Sequence, residues 1–361
     1  MSRTFRVALT GDFNDEAGRP RYPDMGLPLL ANAGIDTSTL PRHAAEIEPE
    51  QLANVNGVIV LSPRVTARTL SGSSELLAVG RFGVGYDSVD VAACTAADVI
   101  LFITPGAVDR PVAEATLAWM LALSHHVRAK DRLVREGKWD ERSGYMGSEL
   151  RERTLGVIGL GGIGKALVNL VAGLGMKPAI ACDPVVMPEQ AAAIGVRLVS
   201  LEELLRSADY VSIHCPLSEQ TRNLIGAREI ALMKPTSYLL NTARGGIVDE
   251  DALHAALLAR RIAGAALDCF AGEPIGADHR FTRLDNVLLA PHSIAWTHEL
   301  FRDIGRAVCQ GMVDVSQGRQ PAGVVNRDVF ARPTFQHKWR RLTSTLGVAA
   351  PGNVSQRECQ A

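Results

Sequence analysis

No charge of either sign dominates this chain: 38 lysines and arginines stand against 39 aspartates and glutamates, for a formal net charge of −1. That balance gives no general attraction to nucleic acid or to a membrane surface, so any partner is recognised locally. Paired cysteines are missing too. Cys94, Cys182, Cys215, Cys269, Cys309 and Cys359 are scattered without a CxxC spacing, which excludes a zinc ribbon, suits a reduced compartment and reads as small apolar filler. His125, His126, His214, His279 and His298 show no metal-ligand pattern, and no metal is expected.

Long apolar runs are absent as well. The stretch 112–127 is interrupted by Glu114, His125 and His126, and nothing reaches the roughly 20 apolar residues that span a bilayer. Residues 1–7 carry Arg3 and Arg6 but no apolar segment behind them, so no secretory signal is read there. The expected location is the cytoplasm, with no membrane association.

What is present is an ordinary globular composition, 47% hydrophobic and 21% charged over 361 residues, long enough for two domains. Short apolar runs at Arg6 to Thr10, Gly57 to Leu61, Leu77 to Gly83 and Ile100 to Ile103 read as buried strands, with a helix over Pro23 to Ala33. Residues Pro111 to Arg135 keep helical apolar spacing for about six turns and predict one long helix. A second strand-helix series follows: strands at Leu155 to Ile158, Pro178 to Cys182, Tyr210 to His214, Tyr238 to Asn241, Gly264 to Leu267 and Val287 to Leu289, with helices at Ile163 to Leu174 and Leu201 to Ser207. A final helix, Glu299 to Gln317, is expected to return to the first domain.

The fold class is therefore α/β, two doubly wound parallel-sheet domains, the second a Rossmann domain inserted into the first. The boundaries are 1–108 plus 297–330 for the substrate domain, 109–296 for the nucleotide domain, and 331–361 for a C-terminal tail whose last ten or so residues are expected to be disordered.

In VIGLGGIGKAL, Gly159, Gly161 and Gly164 form GxGxxG between a strand and a helix. The first glycine permits the tight turn, the second admits a pyrophosphate and the third lets helix and strand pack closely. About 20 residues on, Asp183 ends the next strand. A carboxylate there binds the adenosine ribose hydroxyls and repels a 2′-phosphate, so NAD is expected over NADP. Three later segments, NTARGGIVDEDAL, ALDCFAGEPI and APHSIAWTHE, bring Arg244, Glu273 and His292. An arginine can fork onto a substrate carboxylate, a histidine can carry a proton to or from an oxygen, and a glutamate can hold that ring and stabilise its protonated form.

These segments, with FGVGYDSVD, TPGAVDRPVAEATLA, HCPLSEQTRNLI and LMKPTSYLL, resemble the D-2-hydroxyacid dehydrogenase family over roughly residues 55–325. The resemblance implies hydride transfer at C2 of a small 2-hydroxy or 2-keto acid, with Arg244 on the substrate carboxylate and carbonyl, and His292 as acid or base paired with Glu273. It implies that the backbone at Val84 and Gly85 grips the carboxylate, that Gly162 and Ile163 meet the pyrophosphate, and that Cys215 and Pro216 border the adenosine. Thr242 and Ala243 would pass beneath the nicotinamide ribose and Asp268 would reach the nicotinamide. A homodimer is implied, with the helix after the substrate domain and the loop near Trp139 at its interface.

The sequence departs from the family at three places. Ile294 and Trp296 bring bulk where small residues usually stand, and are expected to narrow the pocket. Val60 and Leu61 stand where relatives acting on phosphoglycerate carry a basic residue nearby. Ile103 replaces a frequent asparagine. Two rival readings share the fold: an NAD(H)-sensing binding protein of the corepressor kind, and a dehydrogenase of another small anion such as phosphite. Formate is disfavoured because relatives oxidising it have glutamine at the position of Glu273.

Overall fold

The structure, a computed structural model, describes residues 4–41 and 44–343. It divides into two compact units, 1–108 with 297–361, and 109–296.

In the first unit, β1 (Arg6–Leu9), α1 (Leu27–Asn32), β2 (Asp36–Thr39), β3 (Gly57–Val60), β4 (Ala78–Arg81), α2 (Val91–Ala96) and β5 (Ile100–Phe102) follow one another. They build a five-stranded sheet of order β2-β1-β3-β4-β5, parallel at every pairing. The sequence GVIV of β3 is buried at all four positions, as a central strand covered on both faces requires.

In the second unit the order is α3 (Asp109–Ser124), α4 (Val127–Arg135), β6 (Leu155–Ile158), α5 (Gly162–Val171), β7 (Ile180–Cys182), α6 (Pro188–Ala192), β8 (Arg197–Leu198), α7 (Leu201–Ser207), β9 (Tyr210–Ile213), α8 (Ala227–Leu232), β10 (Tyr238–Asn241), α9 (Glu250–Leu258), β11 (Gly264–Leu267) and β12 (Val287–Leu289). The seven strands run β12-β11-β10-β9-β6-β7-β8. Again each pair is parallel. One face is covered by a core with Leu204, Leu239, Leu253 and Phe281, the other by one with Met120, Leu167, Leu240 and Ala266. Burial of each large side chain contributes about 1.5–3 kcal/mol. Helix starts are fixed locally: Ser200 accepts the Glu203 N–H and Asp249 those of Asp251 and Ala252, satisfying donors that a first turn leaves open.

The chain then returns to the first unit through α10 (His298–Ser316) and α11 (Pro333–Thr343). Thr297 caps α10 by accepting the Leu300 N–H. Met312 of α10 fills the space that a Cβ at Gly57 would need.

Three expectations need correction. The helix foreseen over 111–135 is two helices, because His126 adopts φ 52° and the Ser124 carbonyl accepts the Ser148 N–H instead of one further along the helix. Strand β2 went unseen because its four residues DTST are all exposed, which leaves no apolar alternation to read. The supposed tail forms α11, whose buried Phe335, Trp339 and Leu342 make an apolar stripe inside a basic sequence; Cys359 and the end thought disordered lie outside the described residues. Among the described residues no helix is long and apolar enough to cross a membrane.

Candidate active site

Because the seven strands of the second unit are parallel, their C-terminal ends share one edge. The chain order reverses there, with β7 on one side of β6 and β9 on the other, the arrangement at which open α/β sheets bind ligands. Gly159 to Gly164 follow β6, Asp183 follows β7, Cys215 and Pro216 follow β9, Thr242 to Arg244 follow β10, Asp268 and Glu273 follow β11, and His292 follows β12. Val84 and Gly85 stand apart in sequence and fold, after β4 of the first unit.

Each glycine of the turn has its own reason. Gly159 sits at φ 92°, and a Cβ on it would stand 2.6 Å from the Cys215 amide nitrogen. At Gly164 a Cβ would stand 2.5 Å from the Gly159 carbonyl oxygen, whereas at Gly161, which opens α5, it would meet open space. That space, with the unused N–H groups of the first turn of α5, fits a pyrophosphate. Asp183 ties its strand end to the turn, accepting N–H bonds from Leu160 at 2.7 Å, Val185 at 2.8 Å and Val186 at 3.1 Å. Its carboxylate is thereby fixed beside the glycines, as ribose binding requires. The sequence reading missed Asp109, whose carboxylate lies against Gly162; burial pushes its carboxyl above the ordinary value. It also missed Thr116, 3.4 Å from the hydroxyl of Thr242.

On the other half of the edge, Asn241 is buried at the end of β10. Its amide donates to the Arg244 carbonyl at 2.8 Å and its side-chain oxygen accepts the Ala243 N–H at 3.1 Å, so this unforeseen residue folds the loop that carries Arg244. The arginine itself donates to the Ala243 carbonyl at 2.7 Å. Gly245 passes the Phe270 carbonyl too closely for any Cβ.

His292 Nδ1 lies 2.8 Å from Glu273 Oε2, while Glu273 Oε1 accepts the Phe270 N–H at 2.8 Å. Burial pushes the Glu273 carboxyl up, but the hydrogen bonds from His292 and Phe270 and the charges of His292 and Arg244 outweigh it and hold the carboxyl below its ordinary value. His292 has φ 52°, a left-handed conformation that costs a side chain about 1 kcal/mol or more. Asp268 holds it there by accepting the Ser293 N–H at 2.8 Å and the Ile294 N–H at 3.1 Å. Burial raises the Asp268 carboxyl against those two bonds. With Nδ1 turned to the carboxylate, Nε2 is the ring atom left to serve a substrate oxygen. Glu273 and His292 keep 35% and 44% of their side-chain surface exposed, so both are reachable from outside.

Comparison with known proteins gives the family. Residues 117–293 match the family model described as D-isomer specific 2-hydroxyacid dehydrogenase, NAD binding domain. The chain is 36% identical over 284 residues to the glyoxylate reductase of Korarchaeum cryptofilum, covering 77% of this chain and 85% of that protein. It is 36% identical over 350 residues to the D-3-phosphoglycerate dehydrogenase of Synechocystis, covering 96% of this chain but 61% of the other. The chain thus spans about three fifths of the phosphoglycerate dehydrogenases it matches. Among solved structures, the TT0316 protein of Thermus thermophilus is similar with TM-score 0.77 and 28% identity, over 89% of this chain and 100% of that one. The D-lactate dehydrogenase of Aquifex aeolicus, complexed with NAD and lactic acid, gives 0.72 and 25%, over 84% and 93%.

Proposed function

Because the chain belongs to the D-isomer specific 2-hydroxyacid dehydrogenase family, we propose that it moves a hydride between NAD and C2 of a small 2-hydroxy or 2-keto acid. The observation that carries this reading is the Glu273–His292 pair standing on the same sheet edge as the dinucleotide turn. Bound NADH supplies the hydride. As the keto oxygen gains negative charge, protonated His292 gives it a proton, and Arg244 pairs with the carboxylate and the carbonyl oxygen. Glu273 remains an anion throughout and stabilises the charged ring. Gly162 and Ile163 hold the pyrophosphate, Asp183 the adenosine ribose, Cys215 and Pro216 the adenosine border, Thr242 and Ala243 the nicotinamide ribose, and Asp268 the nicotinamide.

The direct test is NADH consumption with glyoxylate, hydroxypyruvate, pyruvate, phenylpyruvate and 2-ketoglutarate, with NADPH and His292→Ala as controls. Turnover that needs His292 is the expected result. NADH binding without turnover on any of them overturns this reading in favour of an unusual substrate, such as another small anion, or of a nucleotide-sensing binding protein.

The working form we propose is a homodimer in the reducing cytoplasm. Val127, Val134, Trp139 and Met146 expose half or more of their surface within one short stretch. Beside them a cavity of about 540 Å³ is lined by Arg128, Arg132, Tyr145 and Tyr238, a surface suited to a second copy. The free thiols of Cys94, Cys182, Cys215, Cys269 and Cys309 suit reducing conditions. Light scattering giving the single-chain mass of 38.7 kDa overturns the dimer.

A further inference from the structure

The cysteine after Asp268 is buried as apolar filler would be, yet two polar side chains stand beside it. Ligand atoms of Cys269, Glu273 and His292 all lie within 4.8 Å of one another. We propose that these three residues bind a borderline-soft divalent cation, zinc fitting best, and that the bound ion stops hydride transfer by capturing the proton carrier. The inhibitory half rests on the reading above; the binding half rests on the geometry alone.

The donor set is one sulfur, one nitrogen and one oxygen, the mixture that tetrahedral zinc accepts. Metal–ligand bonds of about 2.0–2.3 Å place tetrahedral neighbours about 3.5 Å apart, so the His292–Glu273 pair parts from 2.8 Å while the sulfur, within 4.8 Å of both, moves in. Thiolate and carboxylate together offset the charge of a dication. Cys269 is 2% exposed and forms the floor, whereas Glu273 and His292 are exposed and leave the fourth position open to water. The Phe270 N–H anchors Glu273 at 2.8 Å, and the ion takes the place of the proton by which the Cys269 thiol meets the Ala243 carbonyl at 3.4 Å. The charge of Arg244 acts on Glu273 and opposes a cation, so binding is weaker than at a structural zinc site. Metal on Nδ1 keeps the ring neutral, and giving up the Nε2 proton would then leave an imidazolate, so His292 no longer delivers that proton; the same ion breaks the 2.8 Å His292–Glu273 bond.

Cobalt(II) titrated into the NAD-free protein tests binding without any turnover. The expected result is a thiolate-to-cobalt charge-transfer band saturating at one equivalent, displaced by zinc, absent in Cys269→Val, and requiring at least about tenfold more metal in His292→Asn. Retained NADH binding by each variant shows that it is folded; should Cys269→Val fail to fold, Cys269→Ser takes its place. A missing band in the wild type, or one that survives loss of Cys269, overturns the site. In the kinetic arm, zinc inhibits NADH consumption, EDTA restores it, and Cys269→Val shifts the inhibiting concentration upwards by at least about tenfold relative to its own uninhibited rate. An unchanged concentration overturns the inhibition. A protein that shows the band yet reduces no keto acid contradicts the enzyme reading while keeping the site.

Discussion

No side chain fits at Gly159, because its Cβ would stand 2.6 Å from the amide nitrogen of Cys215 at a backbone φ of 92°. Gly159→Ala is therefore expected to destabilise the fold by more than about 1 kcal/mol and to weaken NADH binding with it. Gly161, where a Cβ meets open space, separates the two effects. Its alanine variant should stay within about 1 kcal/mol of wild type in urea yet bind NADH more weakly, as a fluorescence titration reads.

The Glu273–His292 bond makes opposite demands in the two directions. Reduction needs the protonated ring and should fall as pH rises, whereas oxidation needs the neutral ring and should rise. Glu273, held below its ordinary value, stays anionic near neutral pH and adds no inflection of its own there. His292→Ala should cost about 10²–10⁴ in kcat. Glu273→Gln should shift both pH profiles, as kcat/KM measured in each direction will show.

Asp183 accepts three hydrogen bonds, one of them from the glycine turn, and two variants separate that from the ribose contact proposed for it. Asp183→Asn keeps an acceptor for the Leu160 N–H while removing the charge, so it should lose most of the preference for NADH over NADPH. Asp183→Ala also releases the Val185 and Val186 N–H groups and should lower affinity for both cofactors.

His214 links pH to stability. Burial pushes its ring down to about 4; Nε2 meets the Ser212 hydroxyl at 2.8 Å, and Nδ1 is shut away from solvent. The residue as a whole is only part-buried, so solvent screening trims the effect. The unfolded chain takes up a proton near pH 6.5 and the folded chain resists until about 4. Stability should therefore be full above pH 6.5 and fall by up to about 3 kcal/mol between those values. Urea midpoints against pH should show this slope, and His214→Asn should flatten it.

Much of this was legible in sequence because apolar runs and glycine spacing report directly on buried parallel strands and on a phosphate-binding turn. Asp183, Arg244, Glu273 and His292 announced themselves through side-chain chemistry placed after a strand, and Gly159 through its spacing. Asp109 and Cys269 did not, since a separate segment comes against each, the start of α5 and the end of β12; Asn241, whose bonds reach only Ala243 and Arg244, read simply as the end of a strand. The break between α3 and α4 was equally hidden. No glycine or proline marks it, and the Ser148 N–H that replaces the helical donor comes from beyond the next helix. Strand β2 shows the converse limit, a pairing made by backbone alone.

Asp268 has a wider meaning than its two hydrogen bonds suggest. It comes from the end of one strand and sets the backbone after His292 from the next, so the ring is aimed from within the same continuous stretch, 109–296, that carries the glycine turn. Ring, carboxylate and glycine turn are therefore inherited as one piece of chain.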